Sequence, residues 1–96
     1  MKQFRIRNSE LKEMIKKAEE IYNRYRSPEA RVEILEIEDD KIVALFSGSF
    51  CETCGINDWI DDFRYVLREK GLEVVIERID EVDEWSRIAY FRIIKN

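Results

Sequence analysis

The sequence predicts an α+β fold: two helices packed on one face of a four- or five-stranded, mostly antiparallel sheet. Three observations predict it. Hydrophobic spacing switches between a helical period and a strand period along the chain, in the order β-α-β-β-α-β-β. Each helical stretch is followed by two β-rich runs joined by a short acidic link, as hairpins are. The 96 residues are 45% hydrophobic, enough to fill one core and too few to close a second, so residues 1–96 read as a single domain.

Taken in order, residues 3–7 alternate, with Phe4 and Ile6 facing one way and Gln3, Arg5 and Arg7 the other, as a short strand does. Asn8 or Ser9 then caps a helix whose apolar stripe is Leu11, Met14, Ile15, Ala18, Ile21, Tyr22 and Tyr25. Ser27-Pro28 stops it, because the residue before proline is pushed out of the helical region. Residues 31–38 and 41–50 are two β-rich runs turned by Asp39-Asp40. The second contains Ile42-Val43-Ala44-Leu45-Phe46, apolar at every position, which fits a strand central in its sheet. A second helix starts near Asn57, with Trp59, Ile60, Phe63, Val66 and Leu67 on its buried stripe. Its acids Asp58, Asp61 and Asp62 come early and its bases Arg64, Arg68 and Lys70 late, complementing the helix dipole. Gly71 supplies the left-handed residue that ends it.

Two strands close the chain, about 72–80 and 85–95, linked by Glu81-Val82-Asp83-Glu84. The last carries Ile88, Tyr90 and Ile94 on one face and Trp85, Ala89, Phe91 and Ile93 on the other. Two helices can coat only one side of such a sheet, so the second apolar face calls for either local cover or a subunit interface. Without its first strand the chain reads as an αββ unit written twice, and Val32-Glu33-Ile34-Leu35 matches Leu72-Glu73-Val74-Val75 in pattern. With that strand, the first six elements follow ferredoxin-like order with one strand added.

Composition removes several classes of function. No apolar run is long enough to span a membrane, and residues 1–7 have no apolar region of the kind a secretory signal needs, so a cytoplasmic protein is expected. With 21 acids against 17 bases, a general phosphate-backbone binder is not expected. Histidine is absent, which removes histidine acid–base chemistry and histidine metal ligands. Glu, Lys and Arg abound beside one Gln and one Thr, a bias that points to a thermophilic, archaeal source.

The chain's local chemistry is concentrated in Phe50-Cys51-Glu52-Thr53-Cys54-Gly55, which holds both cysteines between a strand and a helix. The stretch 42–79, strand, CxxC, helix, strand, is similar to the active-site segment of thioredoxin and glutaredoxin proteins. That resemblance implies thiol–disulfide exchange with Cys51 as nucleophile and Cys54 as its partner. The proline that faces the dithiol in that family has no counterpart here, and Glu52, Asp58, Asp61 and Asp62 oppose a thiolate. Zinc is the alternative cofactor. Cys51 and Cys54 give two ligands, and Asp58 or the cysteines of a second subunit would complete the set. A loop disulfide, or two small thiols filling the turn, are the structural readings.

Other features read as structure first. The three aspartates serve the helix dipole before they serve acid–base work or a hard metal. Ser47-Gly48-Ser49 lacks the spaced glycines and lysine of a phosphate loop. Trp59 belongs to the core stripe and Tyr65 lies off it. Arg5, Arg7, Arg87 and Arg92 could form a basic strip on the open sheet face, but Glu33, Glu36, Glu73 and Glu77 would pair with them. The expectation that follows is a homodimeric binding or interaction protein rather than an enzyme, without a resident cofactor. Its small-molecule ligand is undefined, and it contacts neither membrane nor nucleic acid.

Overall fold

A computed structural model describes residues 8–26, 30–38, 40–48 and 56–95. The expected strand at 3–7, the Ser27-Pro28 stop and the Cys51–Cys54 motif lie outside the described residues. So do the side chains of Asn8, Ser9 and Asp58.

The elements are α1 (Asn8–Arg26), β1 (Arg31–Glu38), β2 (Lys41–Ser47), α2 (Ile56–Glu69), β3 (Glu73–Asp83) and β4 (Ser86–Lys95). The four strands form one antiparallel sheet in the order β1-β2-β4-β3. In a ferredoxin-like sheet the N-terminal strand would lie beside β2. Here β4 holds that place, so the described residues form an αββ unit followed by a second αββ unit, the two meeting along β2 and β4. Both helices pack on the same face: α1 touches β1, α2 touches β3, and the helices touch each other.

The repeat is legible in the packing. Ile15, Ala18 and Tyr22 of α1 match Ile60, Phe63 and Leu67 of α2 in spacing, and all six are buried. Val32, Ile34 and Ile37 of β1 match Val74, Ile76 and Ile79 of β3, and each strand carries a β-bulge right after the middle residue of its trio. This register corrects the one suggested by Val32-Glu33-Ile34-Leu35 and Leu72-Glu73-Val74-Val75. Leu72 precedes the strand and matches Ala30, both fully buried at its entrance. A slip of two residues keeps every side chain on its own face, so a local run of apolar and acidic letters cannot tell the two registers apart.

Loops behave as their residues demand. Glu38 pairs with Lys41, so the β1–β2 hairpin closes through two residues. The link read over 81–84 is shorter than expected, because β3 runs on through Asp83 and a bulge at Val82 keeps it paired to β4. At the end of α2, Leu72 N–H donates to Leu67 O at 3.0 Å and Gly71 N–H to Arg68 O at 2.9 Å. These are the paired bonds of a Schellman cap, with Gly71 at φ 94°.

Under the helices the core is aromatic. Phe63 lies edge-on to Tyr22 at 5.7 Å, to Phe46 at 5.7 Å and to Phe91 at 5.8 Å between ring centroids. Such pairs add about 0.5–1.5 kcal/mol each beyond area burial. The buried Tyr22 hydroxyl donates to Trp59 O at 2.9 Å, tying α1 to the first turns of α2.

Two substitutions test this packing by urea denaturation. Tyr22→Phe keeps the ring and removes the donor, so it should cost about 0.5–1.5 kcal/mol. Phe63→Ala empties the centre of the cluster and should cost about 3–5 kcal/mol. If the two cost the same, Phe63 is not the keystone of the core.

Candidate binding surface

The helices leave the opposite face of the sheet uncovered, and the pairing registers fix which residues stand there. Alternation places Val43 and Leu45 of β2 beside Tyr90 and Ile88 of β4, four half-buried apolar side chains in a two-by-two block. On the β1 side the block is flanked by Glu36 opposite Val43 and Glu33 opposite Leu45. On the β3 side it meets Arg78 opposite Tyr90 and Asp80 opposite Ile88. Lys41 and Arg92 close one end, Ser47 and Ser86 the other. The result is a small apolar centre with a charged rim, the general anatomy of a contact surface.

The rim is organised by ion pairs. Arg92 Nε donates to Glu77 Oε2 at 2.6 Å. The Arg78 guanidinium lies 4.4 Å from the Tyr90 ring centroid and 3.1 Å from Asp80 Oδ2. A hydrogen bond with Tyr90, then the charge of Asp80, raises the Arg78 pKa above its ordinary value. Lys41, Val43, Glu77, Arg78 and Tyr90 border a shallow groove of about 340 Å³ here.

Arg92 and Glu77 thus pair, as the expected ion-pair lattice has them, and Arg87 does not stand with Arg92 on the open face. Arg87 is on the face of Ala89 and Phe91, where it donates to the backbone oxygens of Asp83 at 2.9 Å and Ser86 at 3.0 Å and lies 3.7 Å from Glu81. It braces its own hairpin, on the central strand rather than an outer one. Arg5 and Arg7 lie outside the described residues. Trp59 packs against the core and Tyr65 is exposed, as expected. Asp61 binds Arg64 Nε at 2.5 Å, and that bond chiefly raises the arginine's pKa. Among the described residues, no three acidic or thiol groups stand together to hold a metal ion. No described helix is long and apolar enough to cross a membrane.

The two edges of the sheet differ. On β1, Val32 N–H donates to Asn23 Oδ1 at 2.7 Å, Asn23 Nδ2 donates to Val32 O at 3.0 Å, and Ile34 N–H donates to Glu19 Oε2 at 3.0 Å. Side chains of α1 therefore occupy the backbone groups that another strand would need. Helical periodicity does not reveal this role. The available signal was Asn23 itself, a poor helix former beside the core stripe of a long helix.

Comparison of the chain with protein-family models, curated proteins and solved structures finds no match in any of the three.

Asn23→Ala should therefore cost more than its half-exposed position suggests. It strips a donor and an acceptor from the backbone of Val32 at once, a loss of about 1–3 kcal/mol by urea denaturation. A change within 0.5 kcal/mol, the usual range for a surface substitution, would show that water replaces the amide without penalty.

Proposed function

We propose that this protein is a self-associating interaction module, a homodimer that works by contact rather than by covalent chemistry. The observation that carries this reading is a four-stranded sheet that the described residues cover on one face only, with side chains of α1 seated on its β1 edge. The uncovered face presents the Val43, Leu45, Ile88 and Tyr90 block, and more apolar surface lies exposed at Leu35 and Ile94. Contiguous exposed apolar surface with a polar rim marks interaction sites more often than it marks idle surface. Among the described residues, the shifted proton affinities belong to arginines in ion pairs, which structural contacts account for. The charged composition fits a thermophile-type cytoplasmic protein, and the acidic balance disfavours nucleic acid as partner.

A second reading is kept by the placement of Cys51 and Cys54 in the chain between the end of β2 and the start of α2. Strand, CxxC, helix is the arrangement that thiol–disulfide exchange uses, and two such pairs could hold one zinc between two subunits.

Native mass spectrometry of protein purified without reductant or chelator separates these readings. A metal-free dimer with free thiols is expected. A monomer at millimolar concentration removes the self-association reading. A bound zinc, or the mass deficit of an oxidised pair, moves the function to the cysteines.

A further inference from the structure

Backbone direction shows which strand edge the described residues leave open to a partner. In an antiparallel strand the N–H and C=O of a residue point to the same side, and successive residues alternate. Ile93 N–H donates to Asp40 O at 2.6 Å, beside the start of β2, so Ile93, Phe91 and Ala89 direct their backbone groups toward β2. Arg92, Tyr90 and Ile88 then face β3, where their partners are Val75, Arg78 and Asp80. The register shifts between Ile76 and Arg78 and between Glu81 and Asp83 complete the pattern. Val74, Ile76, Ile79 and Glu81 turn their backbone groups away from the sheet.

The repeat allows a direct comparison with the sealed edge. Glu19 and Asn23 each follow a buried residue of α1, Ala18 and Tyr22. The matching positions in α2, after Phe63 and Leu67, are Arg64 and Arg68. A guanidinium only donates, so neither arginine can receive the outward N–H of Val74 or Ile76 as Asn23 and Glu19 receive those of Val32 and Ile34. What suits this edge is a strand that brings its own carbonyls and a carboxylate.

We propose that the occupant is β3 of a second copy, paired antiparallel about a two-fold axis at Ile79. This rests on the self-association reading above and assigns its interface. In that register Ile79 exchanges both backbone bonds with Ile79 of the second copy, and Ile76 does so with Glu81 of the second copy. Arg78 stands opposite Asp80 of the second copy, and the symmetry repeats each contact. Glu81 of the second copy arrives on the helix side, the side from which α2 presents the exposed Arg68. A two-fold at Asp80 or at Arg78 would oppose like charges. One at Val75 would pair only the strand between Glu73 and Arg78 and leave Ile79 and Glu81 unmatched.

Amide hydrogen exchange on the full chain, at micromolar and millimolar concentration, tests the edge. The Ile76, Ile79 and Glu81 amides should slow by about tenfold or more as the dimer forms, because an amide bonded across an interface exchanges only on opening. Asp80→Arg should weaken the dimer by about tenfold through like charges placed opposite each other, and Arg78→Asp added to it should restore the dimer. A dimer whose Ile79 and Glu81 amides exchange equally fast at both concentrations overturns the β3 interface and leaves self-association through the open face standing. A monomer throughout overturns both. A double variant that is folded by circular dichroism yet stays dissociated overturns the register.

Discussion

The ladder between β2 and β4 is the constraint on which the rest of the fold depends. Among the described residues it is the sole strand pairing between the two αββ units, and it sets the position of each helix over the sheet. At its middle Ala44 faces Ala89, both fully buried. These two small side chains leave room for the rings beside them, Phe46 on β2 and Phe91 on β4, to meet Phe63 from above. Larger residues at the alanine pair would lift the helices off the ladder, and smaller rings would leave a void. The Tyr22 hydroxyl adds direction to this packing, because it is satisfied only when α1 lies against the first turns of α2.

Most of the fold is legible in the letters because the elements obey local rules. The stripe from Leu11 to Tyr22 has a helical period, the uninterrupted run Ile42 to Phe46 marks a central strand, and Gly71 ends α2 with φ 94°. What was not legible is non-local. The place of β4 beside β2 comes from pairing residues more than forty positions apart, such as Ala44 with Ala89, and no local pattern encodes that choice. The apparent repeat register differs from the structural one by two residues, a slip that keeps every side chain on its face and so leaves no trace in the alternation. The candidate surface was half readable. Ile88, Tyr90 and Ile94 share the second face by alternation, and the same alternation puts Arg87 with Ala89 and Phe91; only its bonds to its own turn had no signal in the letters.

The matched spacing of the two αββ units lets their edges be compared, and different residues at the matched helix positions make the edges differ. A sheet made of two similar units has two similar edge strands, and each is a hazard unless its backbone groups are engaged. Asn23 and Glu19 supply acceptors to β1. The same helix positions in the second unit carry Arg64, paired with Asp61, and Arg68, whose charge complements α2's last turn, and neither can accept from an N–H group. Charge on β3 therefore has to do what hydrogen bonding does on β1. Alternating signs at Arg78 and Asp80 repel most alignments of a neighbouring strand and favour the few that oppose unlike charges.

This selectivity bears on what self-association would do for the open face. A two-fold axis perpendicular to the sheet keeps the helices of both copies on one side and both uncovered faces on the other. Pairing through β3 thus consumes backbone groups at the edge and none of the Val43, Leu45, Ile88 and Tyr90 block. Stacking two open faces would do the reverse, burying the block and leaving the arginine-lined edge exposed. The two modes make opposite demands on the same residues. Leu45→Lys should dissociate a stacked dimer and leave an edge-paired one intact, because Leu45 points away from both the helices and β3. If the edge mode holds, the assembly carries two such blocks side by side on one continuous sheet. Bivalency then lets a weak contact at each block sum to a firm one.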